Sequence, residues 1–219
     1  MAEEVKSRRA YRSTKRAEQA AQTRRDIVAT AGVLFRDLGY AGVSMPAIAR
    51  EAGVAVETIY RAFESKAGLF KAVVDAAVAG GASRAETPVV ERPAIRAIND
   101  EPDARRQVAM YAGTQRGIHR RSGALMRALA EGAGSDPEMR RLWTEIEQQR
   151  RMGQGRFVAM LADRGVLRPG VPAEKRADAL WALTSHHVHE MLVETCGWTG
   201  EQYQAWLTKA LEDLLLPQG

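Results

Sequence analysis

Gly39-Tyr40-Ala41-Gly42-Val43-Ser44-Met45-Pro46-Ala47-Ile48-Ala49-Arg50-Glu51-Ala52-Gly53-Val54-Ala55-Val56-Glu57-Thr58-Ile59-Tyr60-Arg61-Ala62-Phe63 is the stretch on which the fold turns. Two short helices fit into it. Ser44 can cap the first, which carries Ile48, Ala49 and Ala52, and Pro46 stands near its start, where a missing N–H costs little. Gly53 can take the turn conformation that ends this helix. A second short helix then runs through Ile59 and Phe63. Ala49 and Ala52 are small enough for the pair to pack closely, and Ile48, Val54, Ile59 and Phe63 supply its apolar side. Val56, Glu57, Thr58 and Tyr60 are left on the other side of the second helix.

On the upstream side, Ile27, Ala31, Leu34, Phe35 and Leu38 recur at the steps of an amphipathic helix from Thr23 to Leu38, and Gly39 ends it. On the downstream side Ser65 can cap a longer helix through Leu69, Phe70, Val73 and Val74. A helix followed by two short ones across a glycine-containing turn is the smallest unit that presents one helix to a DNA major groove. An ordinary three-helix core would satisfy the same apolar pattern. Charge placement favours the first reading. Residues 1–25 hold Lys6, Arg8, Arg9, Arg12, Lys15, Arg16, Arg24 and Arg25 against Glu3, Glu4 and Glu18, so this segment carries the whole net charge of +5 and the remainder is near neutral. A basic arm beside a candidate recognition helix suits a polyanion.

Beyond Phe70 the pattern stays helical. Gly80, Gly81, Ser83, Pro88 and Pro93 mark a loop over 80–93. Helices are then predicted near 103–118, 122–133, 136–165, 173–195 and 200–216, and no window alternates with the period of a strand for long. The expected fold is all-α. A basic flexible arm (1–22) precedes a three-helix helix-turn-helix DNA-binding domain (23–69), and a helical effector-binding and dimerisation domain (70–219) follows. The N-terminus has no apolar run behind its charges, and no segment is apolar for long enough to cross a bilayer, so a cytoplasmic protein without membrane contact is expected. Cys196 is the only cysteine, which excludes an internal disulfide and a multi-cysteine zinc site.

The runs Gly39 to Met45, Ile48 to Val54, Thr58 to Phe63 and Lys66-Ala67-Gly68-Leu69 resemble, at their spacing, the DNA-binding signature of the tetracycline-repressor (TetR) family. The resemblance implies roles for matching residues. Ser44, Tyr60 and Lys66 would hold phosphates, and Val56, Glu57 and Thr58 would occupy the positions that reach bases. Val56 departs from the small residue often found there, as Pro46 departs from a longer side chain. The tail from Trp181 through Trp198 to Leu207 is similar to the C-terminal region of many such regulators, where two long helices pair the subunits and the domain encloses an effector pocket. The resemblance thus implies a homodimer, a double-stranded DNA operator and a small-molecule effector.

His186, His187 and His189 precede Glu190, and on a helix His186, His189 and Glu190 would share a face that could bind a transition metal. Interface or surface packing is the better reading, because the cluster falls where the family's dimer-forming helix runs. Met110, Tyr111, Met126, Trp143, Met152, Phe157 and Trp181 are candidates to line a pocket for an apolar ligand, although plain core packing explains each of them equally well. No nucleophile–base triad, phosphate-cradling loop or spaced carboxylate pair is visible. A metal-dependent enzyme carrying a DNA-binding domain is therefore the weaker alternative. An architectural DNA-binding protein leaves the long helical half without a purpose. The expectation is a non-enzymatic transcriptional regulator without a cofactor, a repressor released from a palindromic operator by a small, largely apolar effector.

Overall fold

The first helix, α1 (Ala2–Leu38), is longer than its apolar pattern predicts. The computed structural model describes the backbone of residues 2–218 and the side chains of residues 14–218. The stretch expected as a flexible arm instead continues the helix back from Thr23 to Ala2. Residues 2–22 contain neither glycine nor proline and are rich in Ala, Arg, Lys, Glu and Gln, all good helix formers, so nothing in their chemistry stops the helix. Apolar periodicity finds only the part that is buried.

The predicted helix pair is α2 (Met45–Glu51) and α3 (Val56–Phe63), followed by α4 (Lys66–Ala79). Ser44 caps α2, its Oγ accepting the Ala47 N–H at 3.3 Å, and Ser65 caps α4 by accepting from Gly68 N at 3.0 Å. Gly53 turns between α2 and α3 at φ +66°, a conformation that a side chain would strain. Gly68 is needed for a different reason: a Cβ there would stand 2.2 Å from the Phe63 carbonyl oxygen. The end of α3 therefore closes tightly onto the first turn of α4.

The region read as a loop is partly ordered into α5 (Ala82–Ala85), a 3₁₀ turn at Val89–Glu91 and α6 (Pro93–Asp100). Next, α7 (Ala104–Ala133) runs unbroken through the gap expected near 118–122. Two polar residues at or beside that gap are satisfied in place. Arg121 donates to the carbonyls of Ala77 and Val78 at the end of α4 (2.7 and 3.2 Å), and Ser122 Oγ donates to Ile118 O at 2.9 Å. After it, α8 (Pro137–Asp163) is capped by Asp136. The helix predicted over 173–195 is really three pieces: α9 (Ala173–Leu183), α10 (His186–Glu190) and a π turn at Met191–Thr195. Thr184 Oγ1 donates back to Leu180 O at 2.8 Å, and Ser185 then caps the new helix through Val188 N, so two hydroxyl side chains divide one apolar period. A capping box of Thr199 and Gln202 starts α11 (Gly200–Leu215). The described residues include no strand, in keeping with the all-α expectation.

Two apolar cores form. The first joins Ile27, Phe35, Ile48, Ile59, Phe63 and Phe70 of α1–α4 to Leu125, Met126 and Leu129 of α7 and to Met139, Leu142 and Ile146 of α8. The second packs Val108 and Ala112 of α7 and Phe157, Val158 and Leu161 of α8 against Leu180, Tyr203, Leu207, Leu211 and Leu215. The boundary expected at 69/70 falls inside α4. Through α4 the DNA-binding head shares its core with the middle of the chain.

Candidate nucleic-acid interface

On α3, Ile59 and Phe63 are buried, and this commitment turns Glu57, Tyr60 and Arg61 to the outside. Tyr60 is 48% exposed, a large aromatic ring held in water where a phosphate or sugar would find it. Thr58 is half-buried beside them. Val56 is half-buried and packs on the first core, so this side chain is divided between the core and the outer face. Ser44 is exposed at the start of α2. Its oxygen already accepts a backbone N–H, which leaves the hydroxyl hydrogen free to donate outward.

Lys66 stands on the first turn of α4 with Nζ 4.3 Å from the centre of the Tyr40 ring. Burial lowers its pKa, and the carboxylate of Asp136 opposes that shift. Burial, and then Glu138 and Asp136, push the Tyr40 hydroxyl up to about 12, so the ring beside Lys66 remains neutral. Lys66 is thereby fixed in place as a cation. Arg24 of α1, which was read only as part of the arm's charge, braces the C-terminal end of α3. Its guanidinium lies 4.1 Å from the centre of the Phe63 ring and donates to the Ala62 carbonyl oxygen. The side chains of Arg8, Arg9 and Arg12 lie outside the described residues.

The pocket candidates are divided between the two cores. Met126 is buried in the first core and Trp143 packs against it, whereas Met110, Tyr111 and Phe157 belong to the second. Met152 is 58% exposed. Trp181 Nε1 donates to Glu147 Oε2 at 2.9 Å. An open cleft of about 250 Å³ lies elsewhere, between α1, α4 and α5, lined by Arg24, Arg25, Val28 and Ala72 among others. Among the histidines, His187 is exposed, but His186 and His189 turn inward onto a residue that sequence reasoning passed over, His119 of α7. A single histidine in a long helix gives no sequence signal. No group of three His, Cys, Asp or Glu able to hold a metal occurs among the described residues.

Residues 23–73, which span α1 from Thr23 to the middle of α4, match the tetR family of bacterial regulatory proteins. Over this stretch the chain carries the tetR-family signature. Its whole architecture is also shared. A tetR-family transcriptional regulator from Mesorhizobium loti has 19% identity and a TM-score of 0.64, over 90% of this chain and 98% of that one. One from Rhodococcus sp. has 16% identity and a TM-score of 0.68, over 89% and 99%. A transcriptional regulator from Saccharomonospora viridis in complex with choline has 20% identity and a TM-score of 0.66, over 90% and 99%. No curated protein matches the chain. A DNA-binding regulator is the coarse reading that this match supports. No helix among its described residues is long and apolar enough to cross a membrane.

Proposed function

We propose that this regulator is a dimeric repressor that holds a palindromic double-stranded operator and releases it when a small molecule occupies the helical domain. The observation that carries the reading is the mounting of α3. Its inner side is locked by Ile59 and Phe63, its end is braced by Arg24, and Ser44, which caps α2, and Lys66, the first residue of α4, precede and follow it in the chain. Phosphate donors on both flanks of a rigid helix position it in a groove, and Glu57, Thr58 and part of Val56 then meet base edges. Arg8, Arg9 and Arg12 belong to the same reading, as phosphate contacts of the basic N-terminal stretch.

Two-fold pairing through 173–216 would space two such helices for successive major grooves. Leu180, Leu207, Leu211 and Leu215 are consumed by the protomer's own core. The pairing face therefore rests on the half-buried Leu183, Val188, Leu192 and Leu214 and on Met191, which is 55% exposed. The choline complex of the Saccharomonospora viridis regulator shows a protein of this fold with a small molecule bound, which supports effector control here. The test is selection of DNA from a random pool, followed by sedimentation. A two-fold symmetric site and a mass near twice 24.0 kDa are expected. A 24.0 kDa monomer that binds all sequences equally would overturn the reading.

A further inference from the structure

Between the two apolar cores, α7 and α8 turn polar. Along α7 the buried series passes from Val108 and Ala112 through Gln115, His119 and Ser122 to Leu125 and Met126, and α8 crosses the same level with Gln154. His119 is 2% exposed, Gln154 6% and Tyr203 of α11 0%. Each is a large polar side chain held out of water. His119 Nδ1 lies 3.1 Å from His186 Nδ1, His189 stacks on His119 with ring centres 4.6 Å apart, and Tyr203 meets the edges of both rings. Gln154 Nε2 donates to Thr184 Oγ1 at 3.1 Å.

One atom on each of the three residues nevertheless has no hydrogen-bond partner: His119 Nε2, Gln154 Oε1 and Tyr203 Oη. Leaving a buried polar atom unmatched costs its full desolvation, so folding alone would favour Leu and Phe at such positions. The neighbouring wall is aromatic. Tyr111 stacks on Phe157 with centres 4.1 Å apart and rings nearly parallel at 14°. Tyr111 is half-buried, and its hydroxyl lies within hydrogen-bonding reach of the Gln154 side chain. Nearby charges are already met. Arg150 pairs with Glu147 at 2.7 Å and donates to Trp181 O and Thr184 O, while Glu190 pairs with Arg127 at 2.8 Å.

We infer that His119, Gln154 and Tyr203 form the polar end of a binding site for an uncharged, planar molecule carrying a hydroxyl or N–H group, with Tyr111 and Phe157 as its flat wall. The site rests on the effector reading and refines it. The ligand was expected to be largely apolar, and its body is so, but its recognition comes from hydrogen bonds to partners that otherwise go without. Gln154 Oε1 accepts, and His119 Nε2 and Tyr203 Oη can each take either role, so a ligand hydroxyl or N–H can be met at this end. Because the site lies on α7 and α8, which also carry residues of the head's core, filling it acts on the two helices that reach the DNA-binding end.

Phenol and toluene, matched in size and flatness, are the probes, followed by imidazole nitrogen NMR of the full-length protein. Phenol should bind about tenfold more tightly than toluene and move the His119 Nε2 signal. Tetramethylammonium should do neither. Tyr203→Phe and Gln154→Leu should each erase the phenol preference while the urea midpoint stays level or rises, because each removes an orphaned group. Toluene binding as tightly as phenol, tetramethylammonium moving the His119 signal, or both variants losing stability would overturn the site. Operator affinity measured alongside separates this site from the reading it rests on. Phenol bound at His119 with operator affinity unchanged keeps the site and sinks effector release. An operator released by a compound that leaves the His119 signal unmoved keeps effector release and sinks the site.

Discussion

The DNA-binding head and the middle of the α7–α8 pair bury their side chains in opposite ways. Among the described residues of α1–α4 every fully buried side chain is apolar, and Phe35, Tyr40 and Phe70 pack as a cluster with Phe35–Phe70 centres 5.0 Å apart and Tyr40–Phe70 centres 5.2 Å apart. Polar groups there stand outside, where DNA would lie. In the middle layer, polar groups are inside: Gln115, His119, Ser122, Gln154 and Thr184 are all buried. The head is complete as a folded object, so its function lies on its surface. The middle layer is incomplete as a folded object, and the incompleteness marks where something else must fit.

The contrast is broken most severely at the head. Phe70 is fully buried at the junction of the aromatic cluster, and Phe70→Ala should cost roughly 3–5 kcal/mol, enough to unfold α1–α4 in chemical denaturation followed by circular dichroism. A loss below about 1 kcal/mol would show that the head does not depend on that cluster.

The second break is acid. Burial, then His186, His189 and Arg150, lower the His119 pKa to about 2, and burial, then Arg150, His189 and His187, lower that of His186 to about 3. Both folded values lie below the ordinary value of 6.5. The unfolded chain therefore binds protons first as pH falls. The stability these neutral rings contribute is complete above about pH 6.5 and is lost below it at up to roughly 1.4 kcal/mol per pH unit for each ring. Urea midpoints between pH 7.5 and 5.5 should fall for the natural protein and fall less steeply for His119→Leu. Equal slopes would mean that His119 is hydrated in solution.

The third effect is smaller and sharpens the division of labour within the head. Thr58→Ala should relax base preference at one operator position for about 1–3 kcal/mol. Lys66→Ala should weaken binding to all sequences and flatten the salt dependence by about one unit of log–log slope. The measurement is an operator-variant panel at several salt concentrations. Were Lys66→Ala to alter base preference and Thr58→Ala only the salt slope, α3 would not be the reading helix.

Much of the head was legible in the chain because its signals are local. Ser44 and Ser65 act within their own first turns, Gly53 within its own dihedral, and Ile59 and Phe63 within one helical period. None needs a distant partner to be recognised. The seven pocket candidates were less legible for the opposite reason: bulky apolar type indicates burial, but not which core receives the side chain, and Met126 and Phe157 went to different ones. The π turn after α10 was likewise hidden, since its apolar residues continue the period of α9.

The sequence by itself thus determined the all-α class, the helix-turn-helix and its family signature, because caps, turns and apolar periods are written in neighbouring residues. Only the tertiary structure decided that His119 meets His186 across 67 positions, that Arg24 braces Ala62, and that Gln154 and Tyr203 are left with unpartnered atoms in the interior. Whether a buried polar group is satisfied depends on atoms contributed by other helices, and helix crossings are set by packing over the whole domain, which no local pattern contains.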